Sequence, residues 1–80
     1  MHCVVSARVN EGMDALIRVM GVLRRKTFHI RDVHMVPSEL HGFSDIKFTL
    51  EERGAYSAEQ AVHFMNKLAD VSDIRLTREE

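Results

Sequence analysis

The chain has 80 residues, 45% of them hydrophobic and 29% charged, which makes one small domain and leaves no room for a second. Eleven Lys/Arg against twelve Asp/Glu give a formal charge of -1, so no overall field gathers phosphate backbones or an anionic membrane. The single cysteine, Cys3, excludes a disulfide framework or multi-cysteine zinc site and fits a reducing cytosol; with no stretch of ~18 apolar residues and no signal-peptide core, the expectation is a cytoplasmic protein with neither nucleic-acid nor membrane partners.

Cys3, Val5, Ala7 and Val9 alternate with Ser6 and Arg8, the period of a half-buried strand, which ends at Asn10-Glu11-Gly12. From Met13 to Lys26 the spacing of Leu16, Val19, Met20 and Leu23 predicts a helix that buries those four and turns Asp14, Arg18 and Arg25 outward. Ile17 widens the stripe and Val22 lies off it, so either the core is crowded or this helix offers apolar surface beyond its own sheet. Phe28, Ile30, Val33 and Met35 predict a second strand. Their parity flips between Ile30 and Val33, which requires a bulge near Arg31-Asp32, and Pro37 stops the strand. After a turn from Pro37 to Gly42, Ile46, Phe48 and Leu50 alternate with Asp45, Lys47 and Thr49 in a third strand, dry on one face and wet on the other. Ser57-Ala58-Glu59-Gln60 reads as a capping box, with Ala61, Phe64, Met65 and Leu68 as the buried face of a second helix. Ile74 and Leu76 close with a short strand, giving a domain of residues 1–77 and a loose tail of 78–80. The order βαββαβ is the ferredoxin-like α+β arrangement: a four-stranded antiparallel sheet in the order 4-1-3-2, with both helices on one face. Enzymes, RNA binders and ligand-sensing modules all use it, so function has to come from particular side chains.

The five histidines do not assemble a metal site on spacing. His29 and His34 are about 16 Å apart along one strand at ~3.3 Å per residue, and Asp32 with His34 supplies only two ligands. Cys3 has the inward parity of its strand and reads as a small apolar core residue, not a nucleophile. Arg8-Val9-Asn10-Glu11-Gly12 faintly resembles the phosphate-cradling loop of acylphosphatases, without its compact glycine spacing. The stretch His41 to Phe48 echoes the third strand of an RNA-recognition motif at Gly42, Phe43 and Phe48. Asp45 stands where the middle stacking aromatic belongs, and the first strand offers Val4 and Ser6 in place of a second one.

Leu16-Ile17-Arg18-Val19, Phe28-His29-Ile30, and Gln60 through Asn66-Lys67-Leu68-Ala69-Asp70-Val71 together resemble the ACT domain of the small regulatory subunit of acetohydroxyacid synthase (acetolactate synthase), in its shortest form. The Asn-Lys-Leu-x-Asp-Val run is the most specific piece, because periodicity demands Leu68 and Val71 but not the polar letters between them. The resemblance implies a subunit with no catalytic residues and no cofactor of its own. It would activate a catalytic large subunit in branched-chain amino acid biosynthesis, the route to valine and isoleucine. Strand two is an edge in the 4-1-3-2 order, and Phe28 to Met35 carries no lysine or proline to discourage pairing, so a homodimer through strand two is expected; the resemblance implies a branched-chain amino acid site between two ACT domains, formed by the turn after strand one and the start of strand two. Those positions are Asn10, Glu11, Gly12, Met13 and Asp14, with His29 and Ile30. Asp14 stands in the family's glycine position and His29 replaces an asparagine, so weak or absent valine sensitivity is expected; Asn10-Glu11-Gly12 forming an equivalent turn earlier in the chain is the competing reading. The alternatives for function are an ACT-type amino-acid sensor for another enzyme and an RNA binder.

Overall fold

Alternation along the first strand, β1 (His2–Asn10), sends Cys3, Val5, Ala7 and Val9 to one face, where all four are buried. The computed structural model describes residues 2–10, 12–52 and 57–79. After β1 come α1 (Met13–Arg25), β2 (His29–Pro37), β3 (Phe43–Glu51), α2 (Ala58–Asn66) and β4 (Val71–Glu79). The strands form one antiparallel sheet in the order β2-β3-β1-β4, the ferredoxin-like arrangement, with β2 and β4 at its edges. Ile46, Phe48 and Leu50 of β3 stand beside the buried residues of β1, and both helices close over this face in a single core.

The bulge in β2 falls where parity requires it. Ile30 faces Leu50 and Asp32 faces Thr49, so Arg31 is the extra residue, and beyond it Val33 and Met35 return to the core side opposite Phe48 and Ile46. On α1 the buried stripe is Ala15, Val19 and Leu23, whereas Leu16 and Met20, expected inside, are only half-buried. A small residue lets a helix axis approach the sheet, and Ala15 of α1 with Ala58 and Ala61 of α2 are all buried in the core. The helix ends on Thr27 at φ 64, with the Phe28 N–H donating to the Leu23 carbonyl at 3.1 Å, an end usually built on glycine. The capping box of α2 forms as expected, with Ser57 and Gln60 serving each other's backbone; Gln60 Oε1 accepts from the Ser57 N–H at 2.8 Å.

β4 corrects the reading of the carboxyl end. The short strand around Ile74 and Leu76 is nine residues long, and the tail expected over 78–80 is strand through Glu79, because β1 supplies a partner for each of those backbones: Thr77 faces Val4, Arg78 faces Cys3 and Glu79 faces His2. Arg78 then closes a clasp. Its guanidinium donates to Glu52 at 3.2 Å and to Glu59, in the first turn of α2, at 2.6 Å. Glu52 also accepts from the Ala58 N–H at 3.0 Å and from the Cys3 thiol at 3.1 Å. Burial above all, and then that carboxylate, push the Cys3 thiol up to about 11, so it stays protonated and unreactive.

The clasp makes stability depend on acid. The Ala58 N–H, followed by the Cys3 thiol, holds Glu52 below the usual carboxyl value, and Arg78 brings Glu59 down to about 2. A depressed folded-state value contributes stability in full above the unfolded value of 4.5 and loses it as pH falls toward 2. The thermal midpoint is therefore expected to drop between pH 5 and pH 2 by more in the parent protein than in Arg78→Gln. Equal slopes would mean that the clasp contributes nothing, as many exposed ion pairs do.

Candidate functional site

The turn between β1 and α1 is built from three sides. Asn10 is exposed at the end of β1, and its backbone N–H donates to the Asp70 carbonyl at 3.3 Å. Gly12 precedes the helix at φ 103, ψ 173, a conformation that side-chain-bearing residues avoid; a Cβ there would meet no atom within 4 Å, so backbone angle and not space demands glycine. Glu11 lies outside the described residues. Met13 and Asp14 open the helix, both exposed. Asp70 holds the turn twice, through its carbonyl to Asn10 and through its carboxylate in an ion pair with Arg18 of α1. The polar letter that periodicity left unexplained in the Asn66–Val71 run is thus the anchor of the turn, a role no pattern within α1 or β1 could signal.

Among the described residues no side chain caps the start of α1, and uncapped first-turn N–H groups favour an anion such as a carboxylate. Asp14 sits within the same turn and opposes that anion.

The other half of the expected site is far away within one chain. His29 opens β2 and is exposed; Ile30 is half-buried against the core. His29 shares a row of the sheet with Glu51 and His2, while Asn10 faces Phe43 at the opposite end. Eight residue steps along β1, from His2 to Asn10, separate the rows, roughly 26 Å at ~3.3 Å per residue. The structure therefore keeps Asn10, Gly12, Met13 and Asp14 together and leaves His29 and Ile30 at the far end of the sheet.

Two alternatives lose their key side chains. Of the RNA-recognition matches, Phe48 is a core position and fully buried, while Asp45, at the position of the stacking aromatic, lies on the open face and accepts from Arg8 at 3.4 Å. Arg8, the arginine of the acylphosphatase-like loop, lies on the open sheet face and donates to Asp45 at 3.4 Å. Among the described residues no helix is long and apolar enough to cross a membrane.

A family model described as the ACT domain matches residues 11–74. Comparison with curated protein sequences gives no match. Among solved structures, the acetolactate synthase small subunit from Thermotoga maritima superposes with a TM-score of 0.84 at 21% identity, over 95% of this chain and 47% of that one. The α and β subunits of an aspartokinase give 0.75 at 15%, over 95% and 49%. An ACT domain protein from Streptococcus pneumoniae gives 0.67 at 11%, over 96% and 88%. At these identities the likeness establishes the fold, and the chain spans about half the length of the first two proteins.

Proposed function

The chain belongs to the ACT domain family, and from that premise we propose that it is the non-catalytic regulatory subunit of an acetohydroxyacid synthase, binding and activating a catalytic subunit that carries the cofactors. The observation that carries this reading is the superposition on an acetolactate synthase small subunit over 95% of the chain, joined to the Asn66–Val71 run whose aspartate anchors the turn between β1 and α1. The likeness to aspartokinase subunits supports a second reading, a sensor module for another enzyme. Co-purification separates them: the tagged chain, co-expressed with a catalytic acetohydroxyacid synthase subunit, is expected to elute with it in a fixed ratio. Failure to associate would leave the second reading in possession.

The same proposal includes a homodimer through β2. This edge strand carries no lysine, and two of its own apolar residues are open to solvent, Val33 at 38% and Val36 at 55%. β1 and β2 both run antiparallel to β3 and hence parallel to each other. An antiparallel pair of β2 strands about a two-fold would set the start of one beside the end of the other. His29 of a second copy would then come to the Gly12 end of the first, reuniting the two halves of the site.

In such a site Asp14 repels the carboxylate of valine, and His29 alters the donors offered to the rest of the ligand. Ligand that hardly binds shifts no equilibrium, so activation without strong valine inhibition is expected. Calorimetry checks this. Asp14→Gly with His29→Asn should tighten valine binding, since removing one like charge near a partly solvated carboxylate is worth about 1–2 kcal/mol, or roughly 5- to 30-fold. Micromolar valine affinity in the parent protein would instead favour the earlier turn at Asn10-Glu11-Gly12.

A further inference from the structure

The sheet face turned away from the helices holds a row of side chains that no feature of the ligand-side turn or the β2 edge uses. His34, Lys47, Ser6 and Arg75 face one another in register across all four strands, from β2 through β3 and β1 to β4. The adjoining row balances its charge, with Arg8 paired to Asp45 at 3.4 Å. This row contains no carboxylate. Lys47 and His34 have neither an ion-pair nor a hydrogen-bond partner among the described residues. Among the described residues Arg75 reaches only Asp73, at 3.5 Å, and its side chain is 75% exposed.

The backbone around the row is shaped as well as charged. In β4 the register slips opposite Ala7, so that Asp73 and Ile74 together face one residue of β1, and Asp73 takes up the left-handed region at φ 52. A bulge adds local twist and re-aims side chains, and an aspartate held in that region has a conformational cost that a plain strand would avoid. The face holds a concavity of ≈ 480 Å³ whose lining sets three cations, Arg8, Lys47 and Arg75, against two carboxylates, Asp45 and Asp73, and so keeps a positive excess.

We propose that this face is the docking surface for the catalytic subunit and receives a carboxylate-bearing segment of it, with Lys47 and Arg75 as the charge partners and Ser6 as a hydrogen-bond donor. The proposal rests on the regulatory-subunit reading. Lys47 and Arg75 stand two strands apart with Ser6 between them, and Lys47 has no acidic partner among the described residues, so a carboxylate from outside would complete its charge. Charge of this kind sets partner choice, on-rate and salt dependence more than bulk affinity. In the β2-paired dimer both open faces lie on the same side of one eight-stranded sheet, so two such rows act together.

The test is binding of the full chain to a catalytic acetohydroxyacid synthase subunit, at two salt concentrations, for the parent and for Lys47→Glu/Arg75→Glu. The variant is expected to bind about tenfold or more weakly and to lose most of its salt dependence. Its mass by light scattering and its thermal midpoint should stay unchanged, since both side chains are solvent-exposed. Lys47→Arg should bind like the parent. Equal binding by parent and double variant would overturn the docking face while leaving the regulatory reading intact. No binding by the parent would remove the regulatory reading, and this proposal with it. Parental binding of inorganic phosphate that the variant loses, without a change in subunit binding, would reassign the row to a small anion. A doubling of mass at low salt that the variant abolishes would reassign it to a second copy.

Discussion

Val33→Pro is expected to turn the dimer into a monomer by light scattering while leaving the circular-dichroism spectrum close to that of the parent. The direction of the backbone decides this. The Ser38 N–H donates to the Phe43 carbonyl at 3.0 Å, which makes Ser38 and Phe43 a hydrogen-bonded pair. Counting back along the continuous register, His34 and Val36 point their amides at β3, whereas Val33 and Met35 point theirs outward from the edge. Proline at Val33 thus removes a donor from the free edge and none from the ladder to β3. On the proposed arrangement, in which a second copy supplies His29 to the site, loss of the dimer should also abolish any residual amino-acid binding. A mass unchanged by the substitution would move the interface to the faces of α1, with Ile17 and Val22 the first residues to replace.

Phe48→Ala is expected to lower the thermal midpoint by about 15–30 °C. Phe48 is fully buried on β3, between β1 and β2 and beneath the helices. Truncation of such a ring costs ~3–5 kcal/mol, against roughly 4–12 kcal/mol for a domain of this length. Each kcal/mol moves the midpoint by about 4–8 °C in a domain this small. Dimerisation adds a concentration dependence, so the variant should unfold earlier still when diluted. A loss of only a few degrees would mean that neighbours collapse into the gap, and that Phe48 is not the centre of the core.

The features read correctly from the chain are those whose cause lies within a few residues. Alternation in Cys3–Val9 and in Ile46–Leu50 reports which face is dry, and the parity break after Ile30 reports the bulge, because side chains on a strand have no third direction to take. The stripe on α1 was less legible. Six apolar residues between Leu16 and Leu23 fit more than one face, and the choice fell to Ala15, whose small size matters only against the sheet. The length of β4 and the Arg78 clasp depend on pairing with β1, some seventy residues earlier, and carry no local pattern. The left-handed Asp73 and Thr27 carry none either. As for the candidate site, the glycine of the turn was readable from its neighbours. Its tie to Asp70 was not, and neither was the separation of His29 from Gly12, which follows from topology alone.

Acetolactate formation by a catalytic acetohydroxyacid synthase subunit, measured with and without an equimolar amount of this chain, tests the regulatory reading most directly. The expected result is a rise of roughly 5- to 150-fold, the span of ordinary coupling free energies of ~1–3 kcal/mol, with little further change on adding millimolar valine. A rate that is the same with and without the chain, at concentrations where both proteins are folded, would contradict it.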